Sequence, residues 1–448
     1  MAVNWPGQLS YDSVVQLQEG RTARYGNWHP PVMSWLLGLF DAVLPGTGLF
    51  VLFDGILLFA ALAFALVLSK RSGWPSAVFA GLCVLSPQYL LYAGVVWKDV
   101  LFAASAVLGF AVLATSGLCW TNKAERFGTL AAAALLLSLA ALARQNGAVV
   151  LPFAAITTGL CAARTSATAP VRKGFSYGLG WLAIALAISC IGYFALETRS
   201  VGQTGPRGQF RLLATYDLAG ALHDDPALQL PILHKDAPVL ERLMRGDAQR
   251  LYTPERNDTL ARSSALQSAL LTTDEEVIPA QWRAFMLSDP LLYLRVRWDA
   301  FRWVFFTPDR TACRAAFAGV TGPPSVLGAL GLPPRFDGRD RALTAYGSAF
   351  SGTPLFSHAF FAALGIGCLA FLLKRRSDAD LAFAALLSAS FAFVLSFFVI
   401  AIACDYRYLY LLDVASIMVV AYLAEDFAEI LSGLYRRRWR GQTKGASA

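Results

Sequence analysis

Long apolar runs, almost free of charged residues, recur along the chain and alternate with shorter polar segments. Each run is roughly 20 residues long, and at about 1.5 Å of rise per residue a helix of that length crosses a hydrocarbon core of about 30 Å. The runs predict nine membrane-spanning helices in an all-α polytopic membrane protein. Their approximate bounds are 49–69, 75–95, 99–118, 127–143, 147–163, 174–195, 355–373, 380–402 and 406–424.

Basic residues in the connections predict which side of the membrane each segment occupies. They cluster at Lys70 and Arg71, at Lys123 and Arg126, at Arg164, Arg172 and Lys173, from Lys374 to Arg376, and from Arg436 to Arg440. If the predicted spans alternate in direction, all five clusters fall on one side. Lys and Arg are retained in the cytoplasm during insertion, so that side is predicted to be cytoplasmic.

This topology divides the chain into five predicted regions. They are a first outer loop (1–48), N-terminal transmembrane helices (49–195), a mainly helical extracytoplasmic domain (196–354), C-terminal transmembrane helices (355–424) and a basic cytoplasmic tail (425–448). The apolar stretch 32–44 is too short to span and follows Pro30-Pro31, which predicts an interfacial or re-entrant helix.

The same topology places the N-terminus outside, although no signal peptide precedes it. Either a short N-terminal tail is translocated, or a first transmembrane helix is missing from the sequence, and we favour the missing helix. The intact bundle is then expected to contain about nine or ten spans.

Composition agrees with a membrane protein. The chain is 56% hydrophobic and 15% charged, whereas a soluble domain contains about a quarter charged residues. The net charge of +8 lies mainly in the short connections, which indicates topology rather than nucleic-acid binding. Of the seven cysteines only Cys313 lies well inside the 196–354 domain, so we expect no disulfide within that domain; the others are interpreted as packing residues.

Polar residues at the predicted outer face are the candidates for function, because hydropathy alone does not explain them. The first cluster contains Asp12 and, further along the same loop, His29 in Trp28-His29-Pro30-Pro31. Asp12 is a candidate general base toward a hydroxyl acceptor, or alternatively a helix cap. His29 is either a structural interfacial residue or a substrate-binding residue.

Two further clusters lie at the outer ends of predicted spans. In Trp97-Lys98-Asp99, Lys98 can attract an anionic headgroup, and Asp99 can cap the next helix or bind a metal; a snorkelling Lys beside an N-cap Asp is the structural alternative. In Arg144-Gln145-Asn146, an outer Arg goes against the positive-inside trend and needs a partner. Phosphate and a carboxylate such as Asp99 or Asp12 are both candidates.

The fourth cluster is Asp405-Tyr406-Arg407-Tyr408 at the outer entrance to the last span. An Arg at this depth is costly unless it is paired, either with Asp405 or headgroups or with a substrate. Arg207 and Arg211 add cations in the adjoining domain. One outer face thus combines carboxylates with several cations, which suits a phospholipid-linked substrate: a carboxylate activates the acceptor and cations stabilise the departing phosphate.

The clusters resemble those of the GT-C glycosyltransferases, in particular the bacterial relatives of dolichyl-phosphate-mannose protein mannosyltransferases and of lipid A aminoarabinose transferases. Ser-Tyr-Asp-Ser with the later Trp-His-Pro-Pro resembles the first outer loop of that family. Trp97-Lys98-Asp99 resembles its second acidic position, and Tyr406-Arg407-Tyr408-Leu409 resembles its Arg-Tyr element before the last helices.

The resemblance implies a GT-C-like bundle in the bacterial inner membrane and an inverting transfer on its extracytoplasmic side. The donor would be a polyprenyl-phosphate sugar and the acceptor a glycan, lipid A or a protein. Asp12 and Asp99 would be catalytic. The implied substrate-binding residues are His29, Lys98, Arg144, Asn146, Arg207, Arg211, Tyr406 and Arg407.

Three questions stay open at this stage. A lone Asp12, rather than an adjacent acidic pair, leaves a requirement for Mg²⁺ or Mn²⁺ undecided. A lipid-linked saccharide flippase is one alternative function, although such transporters tend to show paired repeats, and none stands out here. A polysaccharide polymerase or ligase with a pyrophosphate-linked donor is another, in which Arg207 and Arg211 would matter more than Asp12.

Overall fold

A computed structural model describes residues 2–26, 28–69, 73–198 and 206–445, with side chains described except at 206–207 and 430–445. Within these ranges the chain is helical, and strand-like pairing is limited to four isolated bridges. The prediction of an all-α polytopic membrane protein is confirmed.

The helices fall into three groups along the chain. The N-terminal group is α1 (Tyr11–Thr22), α2 (Pro31–Val43), α3 (Gly48–Leu68), α4 (Trp74–Val84), α5 (Pro87–Leu90), α6 (Lys98–Thr115), α7 (Lys123–Ala143), α8 (Leu151–Arg164) and α9 (Pro170–Glu197). The middle group is α10 (Pro206–Asp224), α11 (Pro231–Asp236), α12 (Pro238–Leu243), α13 (Gln249–Leu251), α14 (Ser264–Thr272), α15 (Val277–Ser288), α16 (Pro290–Phe306), α17 (Pro324–Leu330) and α18 (Gly338–Ala349). The last group is α19 (His358–Arg375), α20 (Asp378–Ile400) and α21 (Tyr410–Gly445).

Eight of the described helices are long and apolar enough to cross a membrane: α3, α6, α7, α8 with its preceding turn, α9, α19, α20, and α21 with the turn Tyr406–Leu409 before it. The ninth predicted run, 75–95, is a helix pair bent by 58° between α4 and the segment Pro87–Gly94. Pro87 explains the break, because proline lacks an N–H and disfavours helical backbone at the residue before it. Every predicted run therefore coincides with a helix, and one of them is broken.

Burial separates the centre of the bundle from its edge. The helices α6 and α21 are the most enclosed, since 83% of the apolar window of each is buried, whereas only 11% of the window of α9 is buried. Small residues let α6 approach its neighbours closely; Gly109, for example, lies against Leu137 of α7. The side chains of Ile184, Ile191 and Phe194 on α9 face outward, as expected for a helix in contact with lipid.

One buried arginine connects the middle group of helices to the C-terminal end of α20. Arg297 of α16 is fully enclosed, forms an ion pair with Asp217 at 2.5 Å, and donates to the carbonyl oxygen of Phe398 at 3.0 Å and to that of Ala401. A buried guanidinium is stable only when its donors are paired in this way. The middle group therefore sits at a defined place over the end of the span.

A disulfide joins Cys313 to Cys404, with the two Cα atoms 5.0 Å apart. The interpretation of Cys404 as a packing residue was wrong. It pairs with Cys313, 91 residues away in sequence, which belongs to the segment that contains the middle group of helices (residues 206–349, below called the middle segment). Disulfides persist in oxidising compartments, which supports the predicted extracytoplasmic position of both residues.

We expect the Cys313–Cys404 pair to be oxidised in freshly isolated membranes, because both cysteines lie in segments predicted to face the oxidising side. Alkylation without prior reduction, followed by proteolysis and mass spectrometry, should yield one cross-linked peptide pair and leave Cys83 and Cys368 available as alkylated thiols once the protein is denatured. Recovery of Cys313 and Cys404 as two alkylated thiols would contradict the structure.

Candidate functional site

The start of α1 places Asp12 at the end of the bundle that the sequence predicts to be outer. Ser10 is the N-cap, and the Ser13 hydroxyl accepts a hydrogen bond from the Ser10 backbone N–H at 3.2 Å. Ser13 also donates to the carbonyl oxygen of Val96 at 2.6 Å, while the Trp97 indole donates to the Ser10 hydroxyl at 2.9 Å. These bonds attach the first turn of α1 to the segment just before α6. Asp12 is not the helix cap but lies in the first turn, close to Lys98 and Asp99.

Arg407 is the centre of a group of charges that we call the outer charge cluster: Asp12, His29, Lys98, Asp99, Arg144, Asp405 and Arg407. Its guanidinium lies 2.7 Å from a carboxylate oxygen of Asp12, 3.1 Å from one of Asp405 and 3.7 Å from one of Asp99. It also stacks over the Trp97 ring, 4.8 Å from the ring centroid. The prediction that Arg407 needs a partner is confirmed, and it has three.

Arg144 forms an ion pair with Asp99, so its carboxylate alternative is the one that the structure contains. Its guanidinium lies among aromatic rings, 5.2 Å from the centroid of Tyr408 and 5.3 Å from that of Phe397. Burial lowers the pKa of Arg144 to about 10, which leaves the side chain charged at neutral pH. Asp99 is thereby enclosed between Arg144 and Arg407.

His29 connects the cation Lys98 to Asp12. The Lys98 ammonium donates to Nδ1 of His29 at 2.9 Å, and Nε2 of His29 lies 3.8 Å from a carboxylate oxygen of Asp12. Burial, reinforced by the charge of Lys98, lowers the pKa of His29 to about 4. The imidazole is therefore neutral at pH 7, and because Nδ1 accepts from Lys98, its proton lies on Nε2, toward Asp12.

Asp12 is the exposed carboxylate of the cluster, with 31% of its side chain accessible. Burial alone would raise the pKa of Asp12, but the nearby imidazole of His29 and the guanidinium of Arg407 outweigh it and hold the pKa well below its ordinary value. Asp12 is thus ionised and accessible, whereas Asp99 and Asp405 are buried.

The cluster contains three carboxylates and three cations, but they are not paired one to one. Asp12, Asp99 and Asp405 face Arg407, Arg144 and also Arg256 of the middle segment, which lies 3.2 Å from Asp405. Among the described residues Lys98 has no carboxylate within ion-pair distance; its close contact is the neutral His29. Lys98 is therefore the cation of the cluster that remains to pair with an anionic ligand.

A cavity of about 320 Å³ lies beside the cluster, between α2, α7 and α9. The polar residues of its lining are His29, Arg144, Gln145, Ser189, Glu197 and Gln209, and its apolar lining includes Leu142, Leu186, Tyr193 and Phe194. Leu186 and Phe194 are also exposed on the outward face of α9. The cavity therefore extends from His29 and Arg144 of the cluster to the outward face of α9.

The carboxylates of the cluster do not form a divalent cation site. Each is engaged by at least one guanidinium, and no group of three or more His, Cys, Asp or Glu residues able to hold a metal occurs in the described part of the chain. Mg²⁺ and Mn²⁺ require several free oxygen ligands. A requirement for Mg²⁺ or Mn²⁺ stays undecided.

Three other predicted site residues have their polar groups engaged by partners outside the cluster. Asn146 donates to the hydroxyl of Ser396 at 2.7 Å and so connects its turn to α20. The Tyr406 hydroxyl is buried and donates to Asp413 at 2.6 Å, which makes Tyr406 a packing residue of the bundle. Arg211 donates to the carbonyl oxygens of Leu270 and Thr273, at the C-terminal end of α14. The side chain of Arg207 lies outside the described residues.

Arg256 was missed in the sequence, although it contacts the cluster. Its partner Asp405 is 149 residues away along the chain. Arg256 lies among several other charged residues of a polar segment, and no local pattern separates it from them. Only the folded chain identifies it.

No protein-family model and no curated protein match the chain. One solved structure that is similar is the archaeal oligosaccharyltransferase AglB from Archaeoglobus fulgidus, in complex with an inhibitory peptide and a dolichol-phosphate. The TM-score is 0.38 and the identity 14%, over 97% of this chain and 48% of that one. The chain thus spans about half the length of the protein it matches. Similarity at this level does not assign a family, and the function has to be argued from the site.

We expect His29 to make the protein less stable as the pH decreases from about 6.5 toward 4, because the unfolded chain binds a proton on this imidazole in that window and the folded protein does not. His29→Gln should remove a loss of about 1 to 2 kcal/mol between pH 7 and pH 5. Thermal unfolding in detergent at both pH values measures the difference.

The control for this experiment is His234→Gln, at a histidine whose side chain is 79% exposed on the middle segment. It should leave the pH dependence of the unfolding temperature unchanged. An identical pH dependence in the native protein and in His29→Gln would contradict the neutral state of His29.

Proposed function

We propose that the chain is a membrane glycosyltransferase that moves a sugar from a polyprenyl-phosphate carrier to a hydroxyl acceptor. The observation that carries the proposal is the convergence of an accessible, ionised Asp12 with Arg407, Lys98 and Arg144 beside a cavity that opens toward lipid. A carboxylate next to several cations at an apolar cavity combines an acid–base group with a site for a lipid-linked anion.

The unmatched charge of Lys98 favours a monophosphate carrier over a pyrophosphate one. The phosphodiester of a polyprenyl-phosphate sugar carries one negative charge, and a pyrophosphate diester carries two. The described cluster has one cation without a carboxylate partner, so a monophosphate neutralises it without leaving a second buried charge. The rival polymerase or ligase would rely on Arg207 and Arg211, and Arg211 is occupied by the end of α14.

The proposed reaction is a single displacement. The acceptor hydroxyl gives its proton to Asp12, its oxygen attacks the anomeric carbon, and the bond from that carbon to the phosphate oxygen breaks. Polyprenyl phosphate leaves with the electron pair. Lys98, Arg144 and Arg407 stabilise the charge that develops on the phosphate, while attack opposite to the leaving group inverts the anomeric carbon.

Donor binding would also activate the base. In the free protein the contact with Arg407 keeps the pKa of Asp12 low, and a carboxylate of low pKa is a weak base. A phosphate beside Arg407 competes for its guanidinium and adds a negative charge, and both effects raise the pKa of Asp12. Asp12 would then accept a proton most readily when the donor is present. Asp99, buried between two guanidiniums, would position them.

We expect Asp12→Asn to lower sugar transfer by about 10²-fold or more, the usual contribution of a general base. Transfer is measured in proteoliposomes with a labelled polyprenyl-phosphate sugar and candidate glycan, lipid A and protein acceptors. The matched control is Asp41→Asn, because Asp41 lies in the same N-terminal segment and forms an ion pair with Arg21 at 2.7 Å, away from the cluster. Asp41→Asn should keep the native rate.

Movement of the labelled lipid between leaflets without transfer, unchanged in Asp12→Asn, would instead identify a lipid-linked saccharide flippase. Equal transfer by the native protein and Asp12→Asn, with both variants folded as judged by unfolding temperature, would exclude Asp12 as the base.

We expect unlabelled polyprenyl monophosphate to inhibit transfer at a lower concentration than polyprenyl pyrophosphate of the same chain length. Lys98→Gln should raise the inhibitory concentration of the monophosphate roughly tenfold or more, since hydrogen bonds to charged groups contribute about 1.5–3 kcal/mol. Competition curves for both lipids with both proteins give the comparison. A preference for the pyrophosphate would favour the polymerase or ligase alternative.

A further inference from the structure

The turn between α20 and α21, residues 401–409, is attached to two separate parts of the middle segment. The backbone N–H of Asn257 donates to Ile402 at 2.9 Å, and that of Cys404 donates to Glu255 at 3.0 Å. On the other side, the N–H of Tyr406 donates to the carbonyl oxygen of Cys313 at 2.7 Å, next to the Cys313–Cys404 disulfide. This turn carries Arg407, so the middle segment surrounds the backbone that presents the central guanidinium.

Arg256 connects those two parts through its side chain. Its Nη2 lies 3.2 Å from one carboxylate oxygen of Asp405 and also donates to the carbonyl oxygen of Ala312. The other carboxylate oxygen of Asp405 lies 3.1 Å from Nη2 of Arg407, and Arg407 in turn reaches Asp12 at 2.7 Å. A continuous series of charge contacts therefore runs from Arg256 to the proposed base, and Arg256 reaches Asp12 only through Asp405 and Arg407.

We propose that Arg256 and the Cys313–Cys404 disulfide position Arg407 toward Asp12, so that the middle segment sets the geometry of the outer charge cluster. Arg256 is a positioning residue: it occupies one oxygen of Asp405 and leaves the other for Arg407. Without Arg256, both oxygens of a buried carboxylate need a partner, and Arg407 is the nearest remaining cation. Arg407 would turn toward Asp405 and away from Asp12.

The disulfide acts on the backbone of the same turn. It fixes Cys404, three residues before Arg407, against a segment 91 residues away. A covalent link of this kind limits the positions available to the turn even when the surrounding hydrogen bonds open. The disulfide and Arg256 therefore restrain Arg407 from the backbone and from the side chain respectively.

Hydrogen exchange of the full-length protein tests the positioning without any assumption about activity. In Arg256→Gln and in Cys313→Ala/Cys404→Ala, the amides of residues 402–410 should exchange at least about tenfold faster than in the native protein. The matched control is Arg245→Gln, because Arg245 also pairs with a carboxylate, Glu241 at 2.9 Å, and also donates to backbone carbonyls of the middle segment. It should leave exchange at 402–410 unchanged.

Sugar transfer tests the consequence for the site and rests on the proposed function. Arg256→Gln should lower kcat about tenfold or more with a smaller change in KM, because the displaced Arg407 no longer stabilises the charge on the departing phosphate, whereas Lys98 still binds the donor. Arg256→Lys should restore part of kcat, since it keeps the charge beside Asp405. Arg256→Gln and Asp405→Asn should be strongly non-additive, because the first acts through the second.

The two proposals fail separately. Native exchange rates at 402–410 in both Arg256→Gln and the double alanine variant would overturn the positioning proposal, whatever the transfer rates. Equal and additive losses of kcat in Arg256→Gln and Arg245→Gln would overturn it as well, because they indicate only general destabilisation. Absence of transfer by the native protein, with exchange at 402–410 accelerated in Arg256→Gln and in the double alanine variant but not in Arg245→Gln, would overturn the glycosyltransferase proposal and support the positioning role.

Discussion

A guanidinium at the edge of the membrane can stay charged only beside negative groups, and this constraint determines how the outer end of the bundle is built. Arg407 satisfies this constraint through ion pairs with Asp12 of α1, Asp99 of α6 and Asp405 of its own turn. These segments are far apart in sequence, and an unpaired charge in any of them would cost several kcal/mol. The cluster therefore forms only when the first segment and the last span lie together.

The same electrostatic balance suits the cluster to binding an anion. The carboxylates pair with the guanidiniums and stabilise the site without a ligand, while Lys98, which has no carboxylate partner among the described residues, remains available to an anion. A phosphate bound beside Arg407 would supply negative charge to its guanidinium in place of Asp12. Binding would thereby weaken the Arg407–Asp12 ion pair, which keeps the pKa of Asp12 low and makes it a poor base. Stability of the free protein and reactivity of the proposed complex thus depend on one pair of side chains.

The distribution of burial assigns different roles to different helices. The enclosed α6 and α21 supply a rigid centre on which Asp99 and the Arg407 turn are mounted, and the outward α9 forms a wall of the cavity where a lipid chain would enter. The middle segment adds a second layer above them through Arg297 and Arg256. A displacement of this layer would change the contacts of Asp405 directly and those of Asp12 only through Arg407.

The sequence by itself determined the helices and the level of the charged residues, because a membrane helix satisfies its own backbone and its length must match the bilayer. The sequence could not determine which groups contact each other. It left open whether Arg144 pairs with Asp99 or with a phosphate, and whether Cys404 packs in the bundle or forms a disulfide. It also did not show which groups Arg211 and Tyr406 contact. Ion pairs and disulfides depend on distances between segments up to hundreds of residues apart, and only the tertiary structure brings those segments together.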